Sequence, residues 1–180
     1  MPGSGKSTVG KHLARQLGFG FADSDTEIEQ RVGMPIRDWF AGHGEESFRD
    51  IEQDVIEDLT TREDLVLATG GGAVLRPSNR DALHSRTHSF YLRSTPEELY
   101  RRLRHDTQRP LLQTDDPLRS LRELFRERDP LYRRVAHFVV EPPRPSVAAL
   151  LGMVLMQLEL AGLIDGARVP SPLDTPPRQD

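Results

Sequence analysis

The residues with the most recognisable chemistry stand at the beginning of the chain and run directly into a helical pattern. There are six of them: Gly3, Ser4, Gly5, Lys6, Ser7 and Thr8. They match the end of a phosphate-binding loop, G-x-x-x-x-G-K-[ST], whose backbone N–H groups close around nucleotide phosphates. In that design Lys6 reaches the β- and γ-phosphates, Ser7 holds Mg²⁺, and the helix that follows contributes the positive end of its dipole.

The complete motif has a further glycine five residues before Gly5, which falls before Met1. We therefore expect a start codon farther upstream, and we expect the strand that normally feeds such a loop to be missing from this chain. A chance Gly-Ser-rich N-terminus is the alternative. The G-K-S-T run followed at once by an amphipathic helix favours a real loop.

Two carboxylates follow the next strand-like run, residues 19–22. Acidic side chains at the carboxyl end of a strand lie where ligands bind in open α/β sheets. Asp23 could hold Mg²⁺ through water, and Asp25 could accept a proton from an attacking hydroxyl. Helix capping is the alternative, because Thr26 and Glu29 have the spacing of a capping box. Capping leaves both aspartates unexplained, so we favour a functional role.

Three glycines follow the buried-strand pattern of residues 65–69: Gly70, Gly71 and Gly72. Without side chains, their backbone N–H groups are open to close approach by a ligand. A flexible turn is the alternative, but a turn rarely needs three glycines. The run therefore predicts part of a binding site.

Two further stretches carry charges whose roles the residue pattern leaves open. Arg49 and Glu52 are three residues apart on a long predicted helix and share a face, where a surface ion pair is the simplest interpretation. From about residue 104 to 119 the apolar pattern gives way to polar residues around Arg109. A segment of this length predicts a mobile lid, with a surface insertion as the alternative.

Strand and helix patterns alternate along the chain, which predicts an α/β fold with a central parallel sheet flanked by helices. We expect one domain over residues 1–162 and a disordered, proline-rich tail over 166–180. The 180 residues include no cysteine, the net charge is −4, and no apolar run approaches the ~20 residues of a membrane span. These features predict a cytoplasmic protein that binds neither nucleic acid nor membrane.

The phosphate loop, the two acids, the glycine run and the arginine-bearing lid together indicate phosphoryl transfer from a nucleotide. In order and spacing these motifs resemble the shikimate kinase family over about residues 1–160. The matching segments are residues 3–8, Asp23-Ser24-Asp25, Phe48-Arg49 with Glu52, Gly70-Gly71-Gly72, Arg109-Pro110-Leu111-Leu112 and Pro130-Leu131-Tyr132-Arg133.

The resemblance implies a P-loop kinase of the nucleoside-monophosphate-kinase type, with five parallel strands in the order 2-3-1-4-5. The strand missing here would be the central one. It also implies transfer of the γ-phosphate of ATP to the 3-hydroxyl of shikimate, with Mg²⁺ as cofactor, by a protein that we expect to be a monomer.

The resemblance also assigns roles to single residues. It implies that Asp25 contacts the shikimate hydroxyls as base or orienting group, beside the glycine run, and that Arg49 and Arg133 bind the shikimate carboxylate. Arg109 would close over the phosphates, and Arg144 falls where the family stacks a residue on adenine.

Two other functions stay open at this point. Another small-metabolite kinase, such as a gluconate kinase, also has to bind a carboxylate. An inactive nucleotide-binding protein is favoured by the incomplete loop, although every expected catalytic side chain is present.

Overall fold

The structure, a computed structural model, describes residues 1–104, 114, 116–142 and 146–165. Helices and strands alternate through this part of the chain, as the sequence predicts. In chain order the elements are α1 (Lys6–Leu17), β1 (Gly20–Asp23), α2 (Ser24–Val32), α3 (Ile36–Leu59), β2 (Leu65–Ala68), α4 (Pro77–Arg86), β3 (Phe90–Leu92), α5 (Pro96–Leu103), α6 (Pro117–Val135), β4 (Phe138–Val140) and α7 (Val147–Leu160).

All four of these strands pair in parallel, but they form two separate sheets. β1 pairs with β2, and β3 pairs with β4. The predicted central sheet is therefore divided in the part of the chain described, because no strand there lies between β2 and β3. The division falls where the resemblance places the missing strand, since β1–β2 and β3–β4 correspond to its pairs 2-3 and 4-5.

A cavity of about 630 Å³ separates the two sheets. Its walls include the residues of β2 and β3, but none of the residues of β1 or β4. Met1 lies against it with 1% exposure, and burial lowers the pKa of its α-amine well below the ordinary value.

Helices cover both faces of the sheets. Tyr91 packs in a core with residues of α4 and α6, whereas its neighbour Leu92 packs in a second core with residues of α1 and α7. Because successive strand residues point to opposite faces, α4 and α6 lie on one side of β3 and α1 and α7 on the other. A third core joins β1 to α2 and α3.

The element boundaries depart from the sequence expectations at several points. α2 begins at Ser24, and its cap is the side chain of Asp23, which accepts the Asp25 N–H. The capping box predicted at Thr26 is therefore wrong. The Glu29 carboxylate instead accepts the N–H of Ile36 at 2.9 Å. α3 has a kink at Gly44, with φ 78°.

Candidate active site

The phosphate-binding loop folds back on the first residue of the chain. Gly3 and Gly5 have φ angles of 71° and 87°, which residues with a Cβ rarely adopt. Ser4 Oγ and Lys6 Nζ both donate to the Met1 carbonyl, at 3.0 and 2.9 Å. The first turn of α1 has neither a side-chain cap nor an acidic residue, so its N-terminus suits a phosphate.

Asp23 connects the phosphate loop to the next element of the site. Ser7 Oγ donates to Asp23 Oδ2 at 2.5 Å, and the Asp25 N–H donates to Asp23 Oδ1 at 3.1 Å. A hydroxyl and a carboxylate at this spacing are the oxygen ligands that Mg²⁺ prefers. Within the described residues no group of three or more acidic, His or Cys side chains is placed to hold a metal.

Each glycine of the run 70–72 lies against a different polar side chain. A Cβ at Gly70 would overlap the carboxylate of Asp25, and a Cβ at Gly72 would overlap the guanidinium of Arg49. At Gly71 it would lie 3.9 Å from an Arg128 nitrogen. The absence of side chains at Gly70 and Gly72 therefore leaves room for the Asp25 carboxylate and the Arg49 guanidinium, and Arg128 lies against the glycine between them.

The Arg49–Glu52 pair is buried. Their side chains are 12% and 1% exposed, and Arg49 Nη1 lies 2.6 Å from Glu52 Oε2. The surface-pair interpretation is therefore wrong. A second glutamate, Glu45, contacts the same guanidinium at 3.0 Å but is 64% exposed. Burial raises the pKa of Glu52, although Arg49 acts to lower it. Its two glutamate partners give Arg49 a raised pKa despite burial.

Arg128 reaches the same place from α6. Its Nη1 donates to the Gly71 carbonyl at 2.9 Å, and Tyr132, one turn later, donates its hydroxyl to the same carbonyl at 2.6 Å. The buried Nε of Arg128 has no hydrogen-bond partner within the described residues. Its positive charge acts on Glu52, lowering the pKa of that carboxyl. Arg128 and Arg49 therefore flank one pocket, and Glu52 is the carboxylate buried beside them.

Asp25 lies at the junction of the phosphate loop and this pocket. Part of the residue is exposed, yet the surrounding protein removes enough of its hydration to raise its pKa to about 6. The negative charges of Asp23 and Glu52 act in the same direction, and Lys6 acts against them. The charges of Lys6 in the loop and Glu52 in the pocket therefore both affect the pKa of the Asp25 carboxyl.

The structure brings together most of the residues predicted for the site. The loop, Ser7, Asp23, Asp25, Arg49 and the glycines form one connected region. Arg133 is placed elsewhere: its side chain is 49% exposed and its Nε pairs with Asp129 at 2.8 Å. Arg109 and Arg144 lie outside the described residues, as do most of the expected lid and the tail after residue 165.

Two arginines near the site were not predicted. Arg128 has a sequence signal, because it lies four residues before Tyr132 and shares its helix face. Arg133 is the next residue after Tyr132 and projects about 100° further round the helix. Arg102, at the end of α5, donates to the Gly3 carbonyl at 3.3 Å. It stands among other exposed charges, and no sequence signal sets it apart.

The fold and site define a phosphate-loop protein of the α/β class with a second, arginine-flanked pocket beside the loop. The family model described as "Shikimate kinase" matches residues 2–158. The chain therefore belongs to the shikimate kinase family.

Individual relatives agree with this assignment. A shikimate kinase of Paracidovorax citrulli is 57% identical over 175 residues, which is 96% of this chain and 93% of the relative. One of Burkholderia thailandensis is 56% identical over 162 residues, covering 90% of this chain and 88% of the relative. A solved structure, shikimate kinase from Acinetobacter baumannii in complex with shikimate, is similar at a TM-score of 0.83 and 44% identity. The similarity covers 91% of this chain and 90% of the chain in that structure.

Proposed function

We propose that this protein transfers the γ-phosphate of ATP to the 3-hydroxyl of shikimate, giving shikimate 3-phosphate and ADP. The observation that carries the proposal is the glycine run, where Asp25, Arg49 and Arg128 converge beside the phosphate loop. A hydroxy acid needs two kinds of recognition, cations for its carboxylate and an acceptor for its reacting hydroxyl. The pocket offers both.

On the donor side, the chain's own groups neutralise the phosphates. The loop N–H groups, Lys6 and the start of α1 face the β- and γ-phosphates, which is the main need of a loose phosphoryl-transfer transition state. Ser7 and Asp23 would hold Mg²⁺, which would supply positive charge against the phosphates. The resemblance implies that Arg109 would contact the phosphates and Arg144 the adenine, and both residues lie outside the part of the chain described.

On the acceptor side, we assign the carboxylate to Arg49 and Arg128. Glu52 fixes Arg49 at 2.6 Å, and the Gly71 carbonyl fixes Arg128 at 2.9 Å, so both guanidiniums are oriented before substrate arrives. Charge-assisted pairs with preset geometry bind a carboxylate more strongly than neutral contacts. Arg133 takes no part, because it already pairs with Asp129 on the surface.

Asp25 orients the 3-hydroxyl and accepts its proton. Its carboxylate lies over Gly70 and responds to the charge of Lys6, so an acceptor bound here meets the donor phosphate. Its raised pKa brings its basicity closer to that of a useful general base at neutral pH.

The proposal also describes a cytoplasmic monomer that takes only small molecules. No helix in the described part of the chain is long and apolar enough to cross a membrane, and the net charge is −4. Size-exclusion chromatography with light scattering tests the monomer, with a mass near 20.3 kDa as the expected result.

Nucleotide binding without turnover is the second candidate, and the cavity between β2 and β3 favours it, since Lys6 and Ser4 of the loop lie in its wall. A gluconate kinase is the remaining alternative for the acceptor.

The deciding experiment is coupled ADP release with ATP and Mg²⁺, comparing shikimate with gluconate. Turnover with shikimate alone supports the proposal. Binding of ATP without turnover on either acid would favour the second candidate.

The carboxylate assignment is tested with two matched variants, Arg128→Gln and Arg133→Gln. Removing one partner of a desolvated charge pair typically costs 2–5 kcal/mol, so Arg128→Gln should lower kcat/KM for shikimate by roughly 30-fold or more. Arg133→Gln should change it less than about threefold, since an exposed ion pair contributes little. Equal effects of the two changes would reject the assignment.

A further inference from the structure

Two buried hydroxyl groups hold the glycine run from opposite sides. Ser24, at the start of α2, is fully buried, and its Oγ accepts the Gly70 N–H at 2.8 Å. Tyr132, on α6, is 8% exposed and donates to the Gly71 carbonyl at 2.6 Å. The Gly70 N–H and the Gly71 carbonyl belong to consecutive residues, so the two hydroxyls restrain the same short segment of backbone.

This restraint matters because glycine has more backbone freedom than any other residue. A run of three would sample several conformations if nothing fixed it, and each would move the backbone relative to the side chains packed on it. Asp25 follows Ser24 directly, and Arg128 shares the Gly71 carbonyl with Tyr132. The hydroxyls are therefore coupled to both ends of the acceptor pocket.

We propose that Ser24 and Tyr132 are positioning residues, whose hydroxyls set the separation between the Asp25 carboxylate and the two arginines by fixing the Gly70 N–H and the Gly71 carbonyl, on the two peptide groups that flank the Gly70–Gly71 bond. The inference rests on the proposed function, since it concerns the pocket for the hydroxy acid. Neither hydroxyl needs to touch substrate. Both act through the glycine backbone.

The chain supplies a matched control for Tyr132. Tyr91 stacks on the Tyr132 ring with centroids 4.8 Å apart and is also buried, but its hydroxyl donates to Asp129 at 3.0 Å, away from the glycines. Tyr132→Phe and Tyr91→Phe each remove one hydroxyl from the same stacked pair, and both keep the ring packing. Only the first change removes a hydrogen bond from the glycine backbone, where Arg128 still donates to the Gly71 carbonyl.

The test measures kcat and KM for shikimate and for ATP in both variants, with urea unfolding as a check on the fold. We expect Tyr132→Phe to lower kcat/KM for shikimate about three- to tenfold, the scale of one neutral hydrogen bond, while KM for ATP stays within about twofold. Tyr91→Phe should leave both substrates' constants within about twofold. Equal effects of the two variants, or an equal loss for ATP, would overturn the inference.

Ser24 is tested with Ser24→Ala and Ser24→Thr. The alanine leaves the buried Gly70 N–H without an acceptor, and the threonine restores one. Loss of shikimate kcat/KM in the first variant and recovery in the second supports a positioning role. An unchanged kcat/KM in Ser24→Ala would overturn it.

Calorimetric titration with shikimate keeps the two proposals distinguishable. If the unmodified chain binds shikimate without turning it over, the proposed function fails, and the same variants are then compared by Kd. If the chain neither binds nor phosphorylates shikimate, both proposals fall.

Discussion

The change Glu52→Gln separates what burial and charge contribute to the Arg49 pair. In the unmodified protein Arg49 Nη1 lies 2.6 Å from the Glu52 carboxylate. The glutamine keeps the shape of the side chain and one oxygen that can accept this hydrogen bond, but it carries no negative charge. Arg49 would keep its own charge with 12% of its side chain exposed. Its remaining partner, Glu45, lies in solvent.

The expected cost follows from the burial of both groups. Breaking a buried ion pair by removing one charge typically costs 3–5 kcal/mol. Burial already opposes the ionised Glu52, whose pKa is raised in spite of Arg49, and this part of the cost disappears with the charge. We therefore expect the free energy of unfolding to fall by about 2 kcal/mol, below the usual range.

Urea unfolding at neutral pH measures this loss, with Glu45→Gln as the matched control. Both glutamates contact the same guanidinium, but Glu45 is 64% exposed, and exposed pairs contribute about 0.2–1 kcal/mol. With a slope of about 2 kcal/mol per molar urea, Glu52→Gln should lower the midpoint by about 1 M. Glu45→Gln should lower it by no more than about 0.5 M. A control effect as large as that of Glu52→Gln would refute the argument from burial.

Four further changes probe other parts of the structure. Gly72→Ala places a methyl group on the guanidinium opposite it, so KM for shikimate should rise at least severalfold in steady-state assays. Gly152→Ala, in an open position of α7, should stabilise the fold by about 0.5–1 kcal/mol and leave KM unchanged. Burial and two neighbouring histidines lower the pKa of His137, so the unfolded chain takes up more protons as pH falls below about 6.5. The contribution of neutral His137 to stability should then be complete above that pH and be lost below it. His137→Asn should therefore make the urea midpoint change less between pH 7.5 and 5. An unchanged dependence of the midpoint on pH would contradict this. Joining four or five apolar residues ending in glycine to Met1 should fill the cavity between the sheets and raise both the urea midpoint and the turnover. If neither rises, the cavity does not accept a strand.

The sequence predicts the fold where local signals agree with the tertiary structure. The capping box at Thr95 and the proline after it define the start of α5, and Ser146 caps α7. α4 was missed because its N-cap, Arg76, makes no capping bond and because two of its buried residues are small or polar, Ala82 and Asn79. A helix held mainly by its neighbours has a weak pattern of its own.

The helix α6 shows a tertiary contact overriding a local signal. Pro130 lacks an N–H and disfavours a helix interior, yet the helix runs through it to Val135. The Asp129 carboxylate accepts from Tyr91 at 3.0 Å and from Arg93 at 3.0 Å. These contacts tie the middle of the helix to β3, and no local pattern encodes them.

The sequence predicted those parts of the candidate site whose residue types are required by a particular backbone geometry. A glycine run, a phosphate loop and acids at a strand end are visible because their function fixes their spacing. Arg128 was missed because its signal, the shared helix face with Tyr132, can be interpreted only once Tyr132 is known to face the site. Arg128 and Arg133 are five positions apart, and the packing of α6 on the sheet determines which of them faces the site.

The glycine run also restricts how this protein can change in evolution. Any single-base change of a glycine codon that alters the amino acid adds a side chain, and at residues 70 and 72 that side chain would meet a charged group already in place. A gradual change of the preferred acid substrate through single substitutions in the glycine run is therefore not expected. Mutations that alter the preferred acid are expected in the helices around the run, α2, α3 and α6, while Gly70 and Gly72 stay constant.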